Sequence, residues 1–328
     1  MFGDETNLRA VVLPAIRVDN ASVATASILV SPPSPVAALG LMRKIEIDLQ
    51  GVGILPTGWN PFRSVAIAVH EFEISPGHRR IPPEMPGESG DKSGSMVDDP
   101  EGRLVCTLVI SAELGNRDVL GQVKDFLSAN VRRYRFGGGR IIRSGIMGGE
   151  TGGGKWRLNP VETAWNEEEF QKIVRVLPPG SVLADRTWQL GPKDEADHRD
   201  ALDRLLDFVV AVKRPIRAKG EEDEQVDMTR VPRSDERWEW RKLTPGWLVP
   251  VAVGWRALSD VRERIGMRAA ENVIGHVWAE DVIGLGEWVS VRRAFSKPRD
   301  GYRDVEGTAW AYRPCPPQGP YLVEGKDL

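Results

Sequence analysis

Residues 117–143, RDVLGQVKDFLSANVRRYRFGGGRIIR, decide how the chain is read. Over Arg117–Asn130, Val119, Leu120, Val123, Phe126 and Leu127 recur at helical spacing and predict an amphipathic helix with those residues inward. Five arginines and three consecutive glycines follow within twelve residues, with no acid among them, in a chain whose formal charge is only −3. Ile141-Ile142 continue as a strand. The cluster is the leading candidate for polyanion contact, because such binding follows local Lys and Arg density and not the net charge.

Upstream, residues 8–18 (LRAVVLPAIRV) predict a strand interrupted by Pro14, and Asp19-Asn20-Ala21 end it with turn chemistry. Ser31-Pro32-Pro33-Ser34-Pro35 precede a helix, with Ser34 placed to cap it and Pro35 at its first position. Unpaired N–H groups at that start suit an anion, so Ser31 and Ser34 are candidates to hold one; plain capping is the competing reading. Residues 46–55, 65–74 (VAIAVHEFEI) and 103–114 (RLVCTLVISAEL) predict strands. Strand, helix, strands, helix, strand is the order of an α+β, ferredoxin-like or RNA-recognition-type fold. There a glycine-rich segment beside a strand lets a nucleic-acid backbone approach, since no side chain blocks it.

At 328 residues the chain exceeds the usual single core, which predicts an RNA-recognition-type domain over 1–176 and a smaller α+β part over 177–328. An apolar content of 41% and a charged content of 28% fit a soluble globular protein. Cys106 and Cys315 lack metal-ligand spacing and suit a reducing compartment; no metal site and no cofactor are expected. Without a secretory pattern or a membrane-length apolar run, the expected location is cytoplasmic. Residues 75–102, rich in Pro, Gly, Ser and Asp, read as a long excursion or hairpin carrying Arg79-Arg80 beside His78. In 148–155 (GGETGGGK), Gly149, Gly154 and Lys155 match part of a phosphate-binding loop. Trp156 replaces its Ser or Thr, so the better readings are a glycine loop presenting Lys155 and Arg157 to a polyanion or, equally, a plain surface loop. Helices are expected over 194–212 and 268–283, and a charged linker over 217–237.

LPAIRVDNA at 13–21, PSPVAALGLM at 33–42, GVGI at 51–54, RFGGGRII at 135–142, PGWLVPVAVGWRALS at 245–259 and GLGEWVS at 284–290 occur in the order of one family. On these segments the chain resembles the Cas-five-type subunit, the second of the Csy proteins, of the type I-F CRISPR surveillance (Cascade/Csy) complex. The resemblance implies a non-catalytic RNA-binding subunit on a ferredoxin-like (RAMP) fold, with 75–102 as a thumb-like insertion. It implies a grip on the 5′ handle of the CRISPR RNA (crRNA), pairing with the large, Cas-eight-type subunit, and capping of a Cas-seven-type backbone filament in antiviral defence. Contact with target DNA near the protospacer-adjacent motif is left open.

The expected chemistry is physical binding: arginines give bidentate, salt-sensitive phosphate contacts, and aromatic or guanidinium planes stack on splayed bases. The leading RNA contacts are Arg132, Arg133, Arg135, Gly137, Gly138, Gly139, Arg140 and Arg143, followed by Asn20, Ser34, Lys155 and Arg157. Trp247, Trp255 and Trp288 are expected in the core or at subunit contacts. Two alternatives remain: a repeat-RNA endonuclease, for which His78 is the best base among four histidines, and a purely structural adaptor.

Overall fold

In a computed structural model, the structure describes residues 8–26, 29–75, 78–80, 97–147, 157–192, 198–215, 238–242, 244, 246–262, 275–297, 305–314 and 320–328. The first part runs β1 (Ala10–Ser22), β2 (Ala24–Ala26), β3 (Leu29–Val30), α1 (Pro35–Gly51), β4 (Phe62–Ile74), β5 (His78–Arg80), β6 (Val97–Asp99), β7 (Glu101–Ala112) and α2 (Arg117–Asn130). It continues with β8 (Arg135–Phe136), β9 (Gly139–Arg143), β10 (Ile146–Met147), β11 (Arg157–Leu158), β12 (Glu162–Ala164), α3 (Glu167–Val174), β13 (Ser181–Asp185), α4 (Ala201–Val209) and β14 (Ala211–Pro215). Last come β15 (Trp238–Lys242), β16 (Leu248–Ala257), β17 (Ala279–Ser290), α5 (Val291–Ala294), β18 (Ala309–Tyr312) and β19 (Tyr321–Lys326). The fold is α+β, and its centre is a large antiparallel sheet.

Within that sheet β4, β7, β1 and β9 are neighbours in this order, all antiparallel. Both faces are covered where β1 begins. Val11 and Leu13 pack with Leu39, Met42, Ile45 and Leu49 of α1 and Val123 and Leu127 of α2. Ala10 and Val12 face the other way, onto Phe170 and Ile173 of α3 and Phe295. A strand buried on both sides cannot alternate in polarity, which is why AVVL in β1 and VAIA in β4 read as continuous apolar runs.

The outer edge of β4 pairs first with β18, at Trp310↔Val65, and then with β13, at Val69↔Ser181 and Ala68↔Val182. Since β13, β17, β16, β19 and β18 follow one another in the sheet, these five strands and β4 close into a ring. Trp310 is wholly buried at the seam and donates its indole N–H to the Leu183 carbonyl at 2.9 Å.

Three expected elements differ. Residues 46–51 finish α1 where a strand over 46–55 was predicted: Ile45, Ile47 and Leu49 fit a period of two, but Leu41, Met42, Ile45 and Leu49 also form a helical stripe that is buried. Buried Glu46 holds that turn, accepting from the Phe62 amide at 2.9 Å and pairing with Arg43 at 3.0 Å. Residues 279–283 belong to β17 and not to a helix, because Val282, Ile283 and Leu285 sit in register with β16; residues 268–274 lie outside the described part. The helix expected over 194–212 is observed at Ala201–Val209 and gives way to β14. The thumb-like segment 75–102 contributes the short hairpin β5–β6, with His78 opposite Asp99; residues 81–96 and the linker 217–237 lie outside the described part. Among the described residues no helix is long and apolar enough to cross a membrane.

Trp310→Ala should cost about 3–5 kcal/mol by urea unfolding, as expected for removing a fully buried aromatic. Trp310→Phe should cost less but still measurably, because the Leu183 carbonyl is left without its donor.

Candidate nucleic-acid interface

The basic stretch folds as a tight hairpin fed by α2. After Asn130 the chain takes one 3-10 turn, Val131–Arg133, and then enters β8. Val131, Tyr134, Phe136, Gly139 and Ile141 are buried, whereas Arg132, Arg133, Arg135, Arg140 and Arg143 are exposed. All five arginines thus reach solvent because the apolar residues between them are anchored in the core.

The three glycines do different jobs. Gly137 and Gly138, at φ 53° and 75°, form the left-handed two-residue turn that suits a β-hairpin. A Cβ on Gly137 would also stand 2.7 Å from Pro33, and one on Gly139 would stand 2.7 Å from the backbone of Ala21 in β1. Only beside Gly138 is the space open. The protein itself therefore uses the missing side chains at 137 and 139, and the approach foreseen for a nucleic-acid backbone is open at 138.

Between this hairpin and α1 lies a groove of about 400 Å3 whose lining includes Gly40 and Lys44 from α1 and Arg133, Arg135 and Gly138 from the hairpin. Among the described residues no acid lines it. A side chain at Gly40 would meet nothing, so the α1 wall is low. Tyr134 forms part of the floor; burial and the neighbouring Asp48 carboxylate push its hydroxyl well above the usual range, and Asp48 pairs with Lys44 at 2.6 Å. Arg135 is aimed by a hydrogen bond from its guanidinium to the Gly138 carbonyl at 3.1 Å.

Arg140 and Arg143 belong to a second surface, on the sheet. Register places Arg143 beside Arg17, Arg17 beside Val105 and Val105 beside Glu71. The adjacent pairings set Arg140 opposite Asp19, and Arg103 opposite Glu73. Asp19 lies between Arg17 at 3.7 Å and Arg103 at 4.0 Å. Sequence reading missed Arg17 and Arg103, since only strand pairing brings them beside β9. Here the cations are interleaved with Asp19, Glu71 and Glu73, which partly neutralises them; in the α1 groove Lys44 is likewise paired with Asp48, but Arg133 and Arg135 make no ion pair among the described residues.

The remaining predicted residues scatter. Asn20 is exposed with φ 56°, at a bulge in β1. Ser34 is the α1 N-cap residue and makes no side-chain capping bond. Arg157 lies in β11, its side chain outside the described part, as is Lys155 with the rest of loop 148–155. Among the histidines, His70 is held by two bonds: Nδ1–H donates to the Pro179 carbonyl at 3.1 Å, which leaves Nε2 to accept from the Thr107 hydroxyl at 2.7 Å. Burial lowers its pKa, so it is a neutral structural residue. Of the tryptophans, Trp288 packs on the core, whereas Trp247 is 74% exposed.

Sequence comparison adds a family to this geometry. The model of the CRISPR-associated protein family Cas_Csy2 matches residues 11–323, so the chain belongs to that family. It is similar to the CRISPR-associated protein Csy2 of Pseudomonas aeruginosa (strain UCBPP-PA14), at 24% identity over 310 residues, which cover 86% of each chain. Membership supports the type I-F Csy complex as the setting that the resemblance implied.

Gly139→Ala should lower stability more than Gly138→Ala, because the first forces backbone apart and the second meets only the strain of a positive φ, about 1–2 kcal/mol. Gly138→Asn should be nearly neutral in thermal melts, as Asn tolerates that conformation.

Proposed function

We propose that this chain is a non-catalytic RNA-binding subunit of the type I-F Csy complex, holding the single-stranded 5′ handle of the crRNA. The observation that carries the reading is the α1–hairpin groove, where Lys44, Arg133 and Arg135 converge without an acid in the described lining. Single-stranded nucleic acid is bound by such basic grooves through its phosphates. The strand order β9-β1-β7-β4, with α1 and α2 on one face, supports the ferredoxin-like, RNA-recognition-type fold on which this function is built.

In this reading Arg133 and Arg135 contact handle phosphates directly, and Gly138 is where the RNA backbone comes closest. Arg132, Arg140 and Arg143 extend the field along the hairpin. The subunit pairs with the large, Cas-eight-type subunit and caps the Cas-seven-type backbone filament, working in the cytoplasm. His78, the base named for RNA cleavage, sits in the β5–β6 hairpin opposite Asp99 with its side chain outside the described part, and His70 has both ring nitrogens engaged in holding the fold.

Handle-RNA binding over a salt series tests it. Arg133→Ala/Arg135→Ala should lower affinity and reduce the log–log salt slope by about one to two units, since each phosphate that a cation neutralises on a single strand accounts for about 0.7. Arg17→Ala/Arg103→Ala, which removes cations already balanced by neighbouring acids, should change the slope less. An unchanged affinity and slope in the first variant would remove phosphate binding by the groove.

A further inference from the structure

A cavity of about 520 Å3 opens where β4, β13, β17 and the start of β16 meet. It is lined by Trp247, Trp288 and Phe72 together with Pro32 and Val69, and by Ser181 and Ser290, which are paired across β13 and β17. Trp288 and Phe72 are seated on the main core, whereas Trp247 stands 74% exposed at the rim. The backbone at Trp247 is held to β17, because the Trp288 amide donates to its carbonyl at 3.0 Å.

This cavity adjoins the cationic groove. Pro32 forms part of its wall, and the next residue, Pro33, is the one that lies against Gly137 of the hairpin turn. Gly137 in turn lines the groove of Lys44, Arg133 and Arg135. The Pro32-Pro33 dipeptide thus touches both, Pro32 at the aromatic cavity and Pro33 at the hairpin turn, and proline gives a rigid connection there.

We infer that the cavity takes one unpaired nucleobase of the RNA whose phosphates lie in the groove, stacked on Trp247 and met at its edge by Ser181 and Ser290. The inference rests on the RNA-holding reading and adds a base-binding site to it. A cavity with an exposed indole at its rim, further aromatic residues in its lining and two serines beside them matches a flat π-system with polar edges. The neighbouring cations supply the charge that brings such a base here as part of a polyanion.

The test uses the full chain, fluorescein-labelled handle RNA, and versions of that RNA each carrying one abasic nucleotide. With the wild type, one abasic position should weaken binding about 5- to 150-fold, the range of one base–aromatic stack. Trp247→Ala should weaken binding of intact RNA by the same factor, show no further weakening at that position, and keep the wild-type salt slope; Trp247→Phe should restore most of the affinity. Equal affinity and an unchanged abasic profile in Trp247→Ala would overturn the base site while leaving the groove intact. So would loss of a copurifying protein from Trp247→Ala with RNA binding unaltered, which would make the cavity a protein seat. A wild type that does not bind handle RNA would remove the RNA-holding reading, and this site with it. Because Trp247 is largely exposed, its replacement leaves the core unchanged.

Discussion

Everything at the candidate interface depends on how closely β9 lies against β1. Gly139 meets the backbone of Ala21 at a distance that excludes a Cβ, and the Ser22 amide donates to the Gly137 carbonyl at 2.8 Å. These contacts dock the hairpin onto the central sheet, and the buried Tyr134, Phe136 and Ile141 lock its inner side. With that side fixed, the arginines of the stretch face outward, and their positions relative to α1 are fixed by the fold. A flexible loop of the same composition would carry the charge but would lose entropy each time it organised a phosphate site.

Charge placement, more than charge amount, separates the two basic surfaces. On the sheet face, Arg17, Arg103, Arg140 and Arg143 share neighbouring strand positions with Asp19, Glu71 and Glu73, and exposed pairs of this kind largely cancel at a distance. In the α1 groove Lys44 pairs with Asp48, whereas Arg133 and Arg135 stand over apolar and glycine surface without an ion pair among the described residues. A near-neutral chain can therefore present one concentrated positive site. The closed ring formed by β4, β13, β17, β16, β19 and β18 sets the aromatic cavity beside that site, because the seam at Val69 and Ser181 brings β13 and β17 against the strand that carries Phe72.

Much of the first half was legible in the sequence. The apolar runs of β1, β4 and β7, the amphipathic α2 and the proline-led start of α1 all follow from local pattern. Local pattern failed where two periods overlapped, as at Ile45-Glu46-Ile47, and the decision fell to Glu46, whose burial is sustained by the distant Phe62 amide. At the site, strand alternation predicts that only some of the arginines share a face; all five are exposed, Arg132 and Arg133 because they lie in a 3-10 turn ahead of the hairpin. Lys44, Arg17 and Arg103 were not readable, because α1, β1 and β7 reach the hairpin only through the tertiary fold. The uses of Gly137 and Gly139 were hidden for the same reason: a glycine's partner, here Pro33 or Ala21, is not written beside it. Trp247, expected in the core or at a subunit contact, lies exposed at a rim that depends on strands far apart in sequence.

The central claim is that the groove between α1 and the β8–β9 hairpin holds RNA. Photo-crosslinking of 4-thiouridine-substituted crRNA in the assembled complex, followed by peptide mapping, tests it most directly. Crosslinks to this subunit should concentrate on the hairpin around Arg133–Gly138 and on the α1 segment containing Gly40 and Lys44. Efficient crosslinks to other parts of the subunit, with none on these two segments, would contradict the account.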